Sequence, residues 1–265
     1  MIEVKNLSYS YSSTGGAALR GVGFRASKGE VAAVLGPNGS GKTTLFQCLL
    51  GIRKPREGEV RIAGKPIGGM SRSEIARTVA VVPQDHEPPF PYEVLDVVLM
   101  GRAPHLGLFS VPSGKDREIA RRALEAVGIE RLADRPYTRV SGGERQMVLI
   151  ARCLAQQSPV MLLDEPTAHL DFRNQVEVLS RVRTIVKENG LVALLNLHDP
   201  NMALLFSDRV LLLKEGSPIG QGSTEEVVTP ENLEALYGLE VEFISRNGAK
   251  VVCPKLPLSS KARRI

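Results

Sequence analysis

The sequence predicts an α/β fold, and three observations carry that expectation. Short apolar runs of strand length alternate with stretches of helical period along most of the chain. One such run, Val31–Leu35, leads through a glycine-rich turn directly into a helical pattern. The stretch from about residue 90 to 157 has helical periodicity and almost no strand character, which marks an inserted helical subdomain. With 265 residues, 43% of them hydrophobic, the chain can bury a core as one large domain or two small ones. The expected division is a main unit over residues 1–245 and a basic, flexible tail over 246–265.

Each element has its own warrant. Met1, Ile2, Glu3 and Val4 alternate like a strand and lack the basic-then-apolar pattern of a secretion leader, so export is not expected. Val31–Leu35 reads as a buried strand, and the helix after it buries Leu45, Phe46, Leu49 and Leu50 before Gly51 stops it. Glu59–Ala63 suggests a strand of an N-terminal antiparallel piece. Ser71 with Glu74 has capping-box spacing for a short helix, and Val79–Val82 follows as a strand. Ala120, Ala123, Leu124 and Val127 recur at helical spacing before Gly128, and Met147, Ile150, Ala151 and Leu154 repeat the pattern. Strands return at Val160–Leu163, Leu191–Leu197 and Val210–Leu213, with a helix over Arg173–Glu188. Thr229 and Pro230 open a last short helix that ends at Tyr237 and Gly238.

Composition excludes several classes. The longest apolar runs fall far short of the ~20 residues that span a bilayer. Cys48, Cys153 and Cys253 are an odd count at unrelated spacings, which fits reduced thiols and neither a disulfide framework nor structural zinc. The formal charge is only +5, concentrated at the end in Lys250, Lys255, Lys261, Arg263 and Arg264. A basic end could touch nucleic acid or anionic lipid, but Pro254 and Pro257 favour a solvated tail. Nucleic acid is not expected as a partner, because the chain has no Trp and only 5% aromatic residues to interleave with the charge.

Gly36, Pro37, Asn38, Gly39, Ser40, Gly41, Lys42 and Thr43 satisfy the phosphate-loop pattern, and Thr44 continues the helix. The glycines let successive N–H groups turn inward toward phosphate oxygens, and the following helix presents its positive end. Lys42 adds a mobile charge for the β and γ phosphates, and the Thr43 hydroxyl is placed to ligate Mg²⁺. Val160–Leu163 ends in two carboxylates, Asp164 and Glu165. Asp164 can hold the Mg²⁺ hydration shell, and Glu165 can polarise a water for attack on the γ-phosphate. Ser141, Gly142, Gly143 and Glu144 open a helix and offer a second anion cradle, which one γ-phosphate does not need.

With that second cradle the sequence resembles the ATP-binding-cassette ATPases over nearly its whole length. Their signature is usually Leu-Ser-Gly-Gly-Gln, so Val140 and Glu144 are departures from it. The resemblance implies a RecA-like phosphate-loop NTPase core with an N-terminal antiparallel β subdomain and the helical insertion. It also implies a head-to-tail dimer in which Ser141–Glu144 of one copy close on ATP held by the other. Tyr11 resembles the aromatic that stacks on adenine, with Tyr9 as a rival. Gln84 resembles the glutamine that senses Mg²⁺ and the attacking water. His198, after Leu191–Leu197, resembles the switch histidine, with an orienting and charge-stabilising role. His86, His105 and His169 read as surface residues. Asp171 resembles the dimer-contact loop, in which His169 is a departure.

The stretch Val97–Phe109, followed by Pro112–Asp116, resembles importers of iron-siderophores, haem, cobalamin and molybdate or tungstate. In those systems the corresponding region docks on a permease. The resemblance therefore implies an ATPase working with membrane permease subunits and an external substrate-binding protein, held peripherally on the cytoplasmic face of the plasma membrane. A soluble cassette ATPase, for example in iron–sulfur cluster assembly, is the competing class.

Overall fold

The computed structural model describes residues 1–12, 16–84, 90–107, 109–246 and 249–255. His86, Lys261, Arg263, Arg264 and part of the loop after Tyr11 lie outside the described residues. In chain order the elements are β1 (Ile2–Tyr9), β2 (Leu19–Ala26), β3 (Val31–Leu35), α1 (Lys42–Leu49), β4 (Glu57–Ile62), β5 (Lys65–Pro66), α2 (Arg72–Thr78) and β6 (Val79–Val82). Then come α3 (Val94–Leu99), α4 (Gly114–Ala126), α5 (Gly142–Ala155), β7 (Val160–Asp164), α6 (Phe172–Asn189), β8 (Val192–Leu197) and α7 (Pro200–Phe206). The chain continues through β9 (Arg209–Lys214), β10 (Ser217–Ser223), α8 (Thr224–Val227), α9 (Pro230–Tyr237), β11 (Val241–Arg246) and β12 (Ala249–Pro254).

The central sheet runs β10-β9-β3-β8-β7-β6; its strands pair in parallel except for the antiparallel β10–β9 edge. Both faces of it are covered, which is why its strands are continuous apolar runs rather than alternating ones. Val31, Ala33 and Leu35 face a core shared with the helices, while Ala32 and Val34 face α1 and the antiparallel sheet. Met161 and Leu163 part from Val160 and Leu162 in the same way. The antiparallel sheet, β2-β1-β4-β5, sits over that second core. Ile2 and Val4 of β1 are buried there as expected, and Glu3 is buried with them because Arg25 and Lys5 pair with its carboxylate.

The stretch between β6 and β7 is helical, as its periodicity predicts, and among its described residues the one bridge is Glu93 to Pro136. Ser71 and Ser113 each close a capping box, with Glu74 and Asp116. The expected helix over residues 173–188 extends one residue at each end because Asp171 caps it and Gly190 stops it with φ 61°.

Arg102 ties this region together. It is 6% exposed, and its guanidinium bonds Asp116 at 2.9 Å, the Ala155 carbonyl at 2.8 Å and Gln157 at 2.9 Å. Ser113 and Arg102 together hold the Asp116 carboxyl well below the usual carboxylate range. Its contribution to stability is therefore present at neutral pH, and is lost as pH falls through the unfolded carboxylate range toward the lower folded pKa. Arg102→Ala removes the buried counter-ion, and the expected result is a fall in melting temperature of roughly 5–10 °C by calorimetry. A melting temperature unchanged by that substitution would mean that the cluster holds nothing together.

The expected flexible tail begins instead as a strand. β12 pairs with β11 from Pro254–Val241 to Ala249–Arg246, across the 245/246 boundary. The hairpin folds because Val241 and Val252 reach the main core, with Phe243 packed against it.

Candidate functional site

Four loops leave the C-terminal ends of neighbouring parallel strands, where ligands of α/β sheets bind. They follow β3, β6, β7 and β8. After β3 the phosphate loop turns at Gly39 (φ 77°) and Gly41 (φ 104°), both left-handed. Gly36 is needed for a different reason: a Cβ there would collide with the Leu213 carbonyl and the Ser40 hydroxyl. Lys42 is 5% exposed and its ammonium donates to the carbonyls of Gly36 (2.7 Å) and Pro37 (3.0 Å). Burial lowers its pKa, against the opposing pull of Glu165 and Asp164.

Gly39, Gly41 and Lys42 line a cavity of about 520 Å³ with Tyr11, Asn38, Thr43 and Glu165. Tyr11 lines it and Tyr9 does not; Tyr9 stands edge-on behind it at 5.2 Å between ring centroids. The Tyr11 hydroxyl shares a 2.9 Å hydrogen bond with Thr44, so Thr44 anchors the tyrosine, and Arg53 lies 5.2 Å over the ring.

Glu165 is held from two sides. Gln84 Nε2 donates to its Oε2 at 3.0 Å, and His198 Nε2 lies 2.7 Å from its Oε1. Its backbone is left-handed (φ 48°), an uncommon state for a non-glycine residue, and so is that of His169 (φ 61°) at the end of the same turn. Asp164 stays on the strand, in register with Asn196 of β8, whose Nδ2 donates to its Oδ1 at 2.6 Å. Burial raises the Asp164 pKa, and the Asn196 bond works against that rise.

Asn196 escaped the sequence reading although a signal existed. It is the one polar residue within the apolar run 191–197, it is fully buried, and its Oδ1 has no protein partner among the described residues. That orphan acceptor beside Asp164 suits a metal-bound water. The donors nearby are hydroxyl, amide and carboxylate oxygens, the hard set that Mg²⁺ takes. Among the described residues, no group of three or more His, Cys, Asp and Glu could hold a metal unaided.

The second cradle lies elsewhere. None of Ser141, Gly142, Gly143 and Glu144 lines the phosphate-loop cavity. Ser141 and Glu144 form a capping box: the Ser141 hydroxyl accepts from Glu144 N at 3.3 Å, and Glu144 Oε2 accepts from Ser141 N at 3.1 Å. The same spacing as Ser71 and Glu74 could have revealed it. Arg131 holds the other Glu144 oxygen at 3.0 Å. Hydrogen bonds from Ser141 and these charges lower the Glu144 pKa. A Cβ at Gly143 would lie 2.7 Å from Asn174 Oδ1, so glycine lets α5 approach α6, where Asp171 caps by accepting from Asn174 N at 2.8 Å. His105 and His169 are exposed, as expected.

Residues 19–168, more than half of the chain, match the family described as ABC transporter. The chain belongs to the ABC transporter family. The cassette is 42% identical over 253 residues to the probable iron chelatin transport ATP-binding protein of Helicobacter pylori, covering 95% of this chain and 98% of that one. It is 41% identical to the hemin import ATP-binding protein of Gloeobacter violaceus, covering 91% and 89%. Among solved structures, a chain of an inward-facing metal-chelate type ABC transporter superposes with a TM-score of 0.85 at 34% identity, covering 96% and 97%. The cassette is an ATP-binding ATPase with a phosphate-loop NTPase core, and no described helix is long and apolar enough to cross a membrane.

Proposed function

We propose that this cassette hydrolyses ATP to drive a membrane importer for a metal chelate or metal oxyanion, such as an iron-siderophore, haem, cobalamin, molybdate or tungstate. The observation that carries the hydrolytic part is the convergence of Gln84 and His198 on one carboxylate, Glu165, at the phosphate-loop cavity. The names of the relatives support the cargo class.

In this reading Tyr11 stacks on adenine, the loop from Gly36 to Thr44 wraps the phosphates, and Lys42 turns its ammonium to the β and γ oxygens. Thr43, Gln84 and Asp164 would hold Mg²⁺, which draws charge from the phosphoryl oxygens. Glu165 accepts a proton from the attacking water, Gln84 orients that water, and His198 steadies the carboxylate and the developing charge. Ser141, Gly142, Gly143 and Glu144 close on the nucleotide of a second copy, with Asp171 in the loop between copies. Separation of the two cradles within one chain supports that completion in trans.

A groove of about 430 Å³ supports the permease as partner. Ile52, Ile75, Met100, Pro104 and Arg152 line it, so the importer-like stretch forms one wall. The cassette then sits peripherally on the cytoplasmic face, with an external binding protein delivering cargo to the permease. Tagged full-length chain extracted in mild detergent should co-purify a polytopic membrane protein in stoichiometric amount, identified by mass spectrometry. Recovery with soluble partners alone would overturn the transport reading.

A further inference from the structure

His198 follows the last residue of β8, and its side chain is 44% exposed. With so little packing around the ring, its position depends on the main chain that carries it. That main chain is gripped by the C-terminal part of the molecule. Tyr237, the last residue of α9, donates from its hydroxyl to the His198 carbonyl at 3.2 Å. Three residues beyond His198, the Asn201 amide pairs with Val252 of β12 in both directions. Its Oδ1 accepts from Val252 N at 2.7 Å, and its Nδ2 donates to Val252 O at 3.3 Å.

The Asn201 amide copies the bond pair that a neighbouring strand would make, and it needs a donor and an acceptor side by side to do so. Between the two grips, Asp199 caps α7 by accepting from Asn201 N at 2.8 Å, and Pro200 fixes φ at the first helical position. The brace itself has a firm base. Leu233 and Leu236 of α9 are buried with Val241 and Val252 of the hairpin, and Tyr237 packs against the same core. Burial pushes the Tyr237 phenol up to about 12, so it remains a donor at every working pH. From the other side, Glu165 meets the imidazole at 2.7 Å.

We propose that Tyr237 and Asn201 are positioning residues for His198, and that α9 with the β11–β12 hairpin braces the hydrolytic site by fixing residues 198–201. The brace rests on the reading of His198 and Glu165 as parts of that site. It gives the C-terminal hairpin a function that the nucleotide contacts alone do not require.

The full chain contains four histidines, so its ¹⁵N-histidine ring spectrum is simple, and His198→Gln assigns the resonance concerned. Tyr237→Phe removes only the hydroxyl. It should displace the His198 ring resonance, leave the other three in place, and hold the melting temperature. ATP turnover should fall roughly 3- to 10-fold in kcat with KM for ATP unchanged, the size of one lost hydrogen bond. Asn201→Leu, similar in volume but unable to pair with Val252, should displace the same resonance and lower kcat likewise, with a fall in melting temperature as well because the Val252 N–H and carbonyl lose their partner. A merely structural role would lower the melting temperature and leave no selective mark on His198. An unmoved His198 resonance in both variants overturns the brace. Full ATPase activity in His198→Gln overturns instead the hydrolytic reading beneath it, whatever the ring spectra show.

Discussion

Glu165→Gln is expected to lower ATP turnover by about 10²- to 10⁴-fold while leaving nucleotide binding intact. The carboxylate accepts from Gln84 at 3.0 Å and meets His198 at 2.7 Å, and glutamine has the same shape with one acceptor oxygen. The contact with Gln84 or with His198 therefore survives, the left-handed turn at Glu165 is undisturbed, and only the capacity to take a proton from water is gone. Binding without turnover should hold two copies around two ATP molecules. Light scattering of Glu165→Gln at saturating Mg-ATP should report a dimer, and removal of nucleotide should return the monomer. A monomer with ATP bound would count against completion of the site by Ser141–Glu144 of a second copy.

The parallel strands were legible in the sequence because burial on both faces leaves continuous apolar runs such as Val31–Leu35 and Val160–Leu163. The phosphate loop and the Asp164–Glu165 pair were legible because local spacing fixes their geometry at a strand end. What local pattern cannot show is a group placed by a distant partner. Nothing in the residues around Asn201 marks it out until Val252, far along the chain, arrives beside it. The hairpin itself was hidden by Pro254 and the neighbouring charges, whereas the residues that fold it, Val241 and Val252, find their core only in three dimensions. Gly36 shows the same limit. Its place in the motif suggests conformational freedom, but the structure requires it for the close approach of the Leu213 carbonyl.

Lys42→Met is expected to separate binding from stability. The ammonium is buried against two main-chain carbonyls and near the carboxylates of Glu165 and Asp164, and burial lowers its pKa. A lowered pKa means that the fold works against this charge: the lysine costs stability at neutral pH, where it is protonated, relative to a group that carries no charge. The charge is kept for an anion. Without it the phosphates lose a charge-assisted partner in a partly desolvated site, a loss of about 2–5 kcal/mol, or roughly 30- to 5,000-fold in affinity. Titration calorimetry with ATP should show that loss, and turnover should vanish with it. The melting temperature without nucleotide should hold or rise, because an unbranched apolar side chain of similar length replaces a buried cation. Lys42→Arg should not restore binding in full, since a planar, delocalised guanidinium does not replace the compact point charge of an ammonium. Wild-type ATP affinity in Lys42→Met would remove the phosphate-loop assignment. A steep fall in melting temperature would instead make Lys42 a structural anchor of the loop.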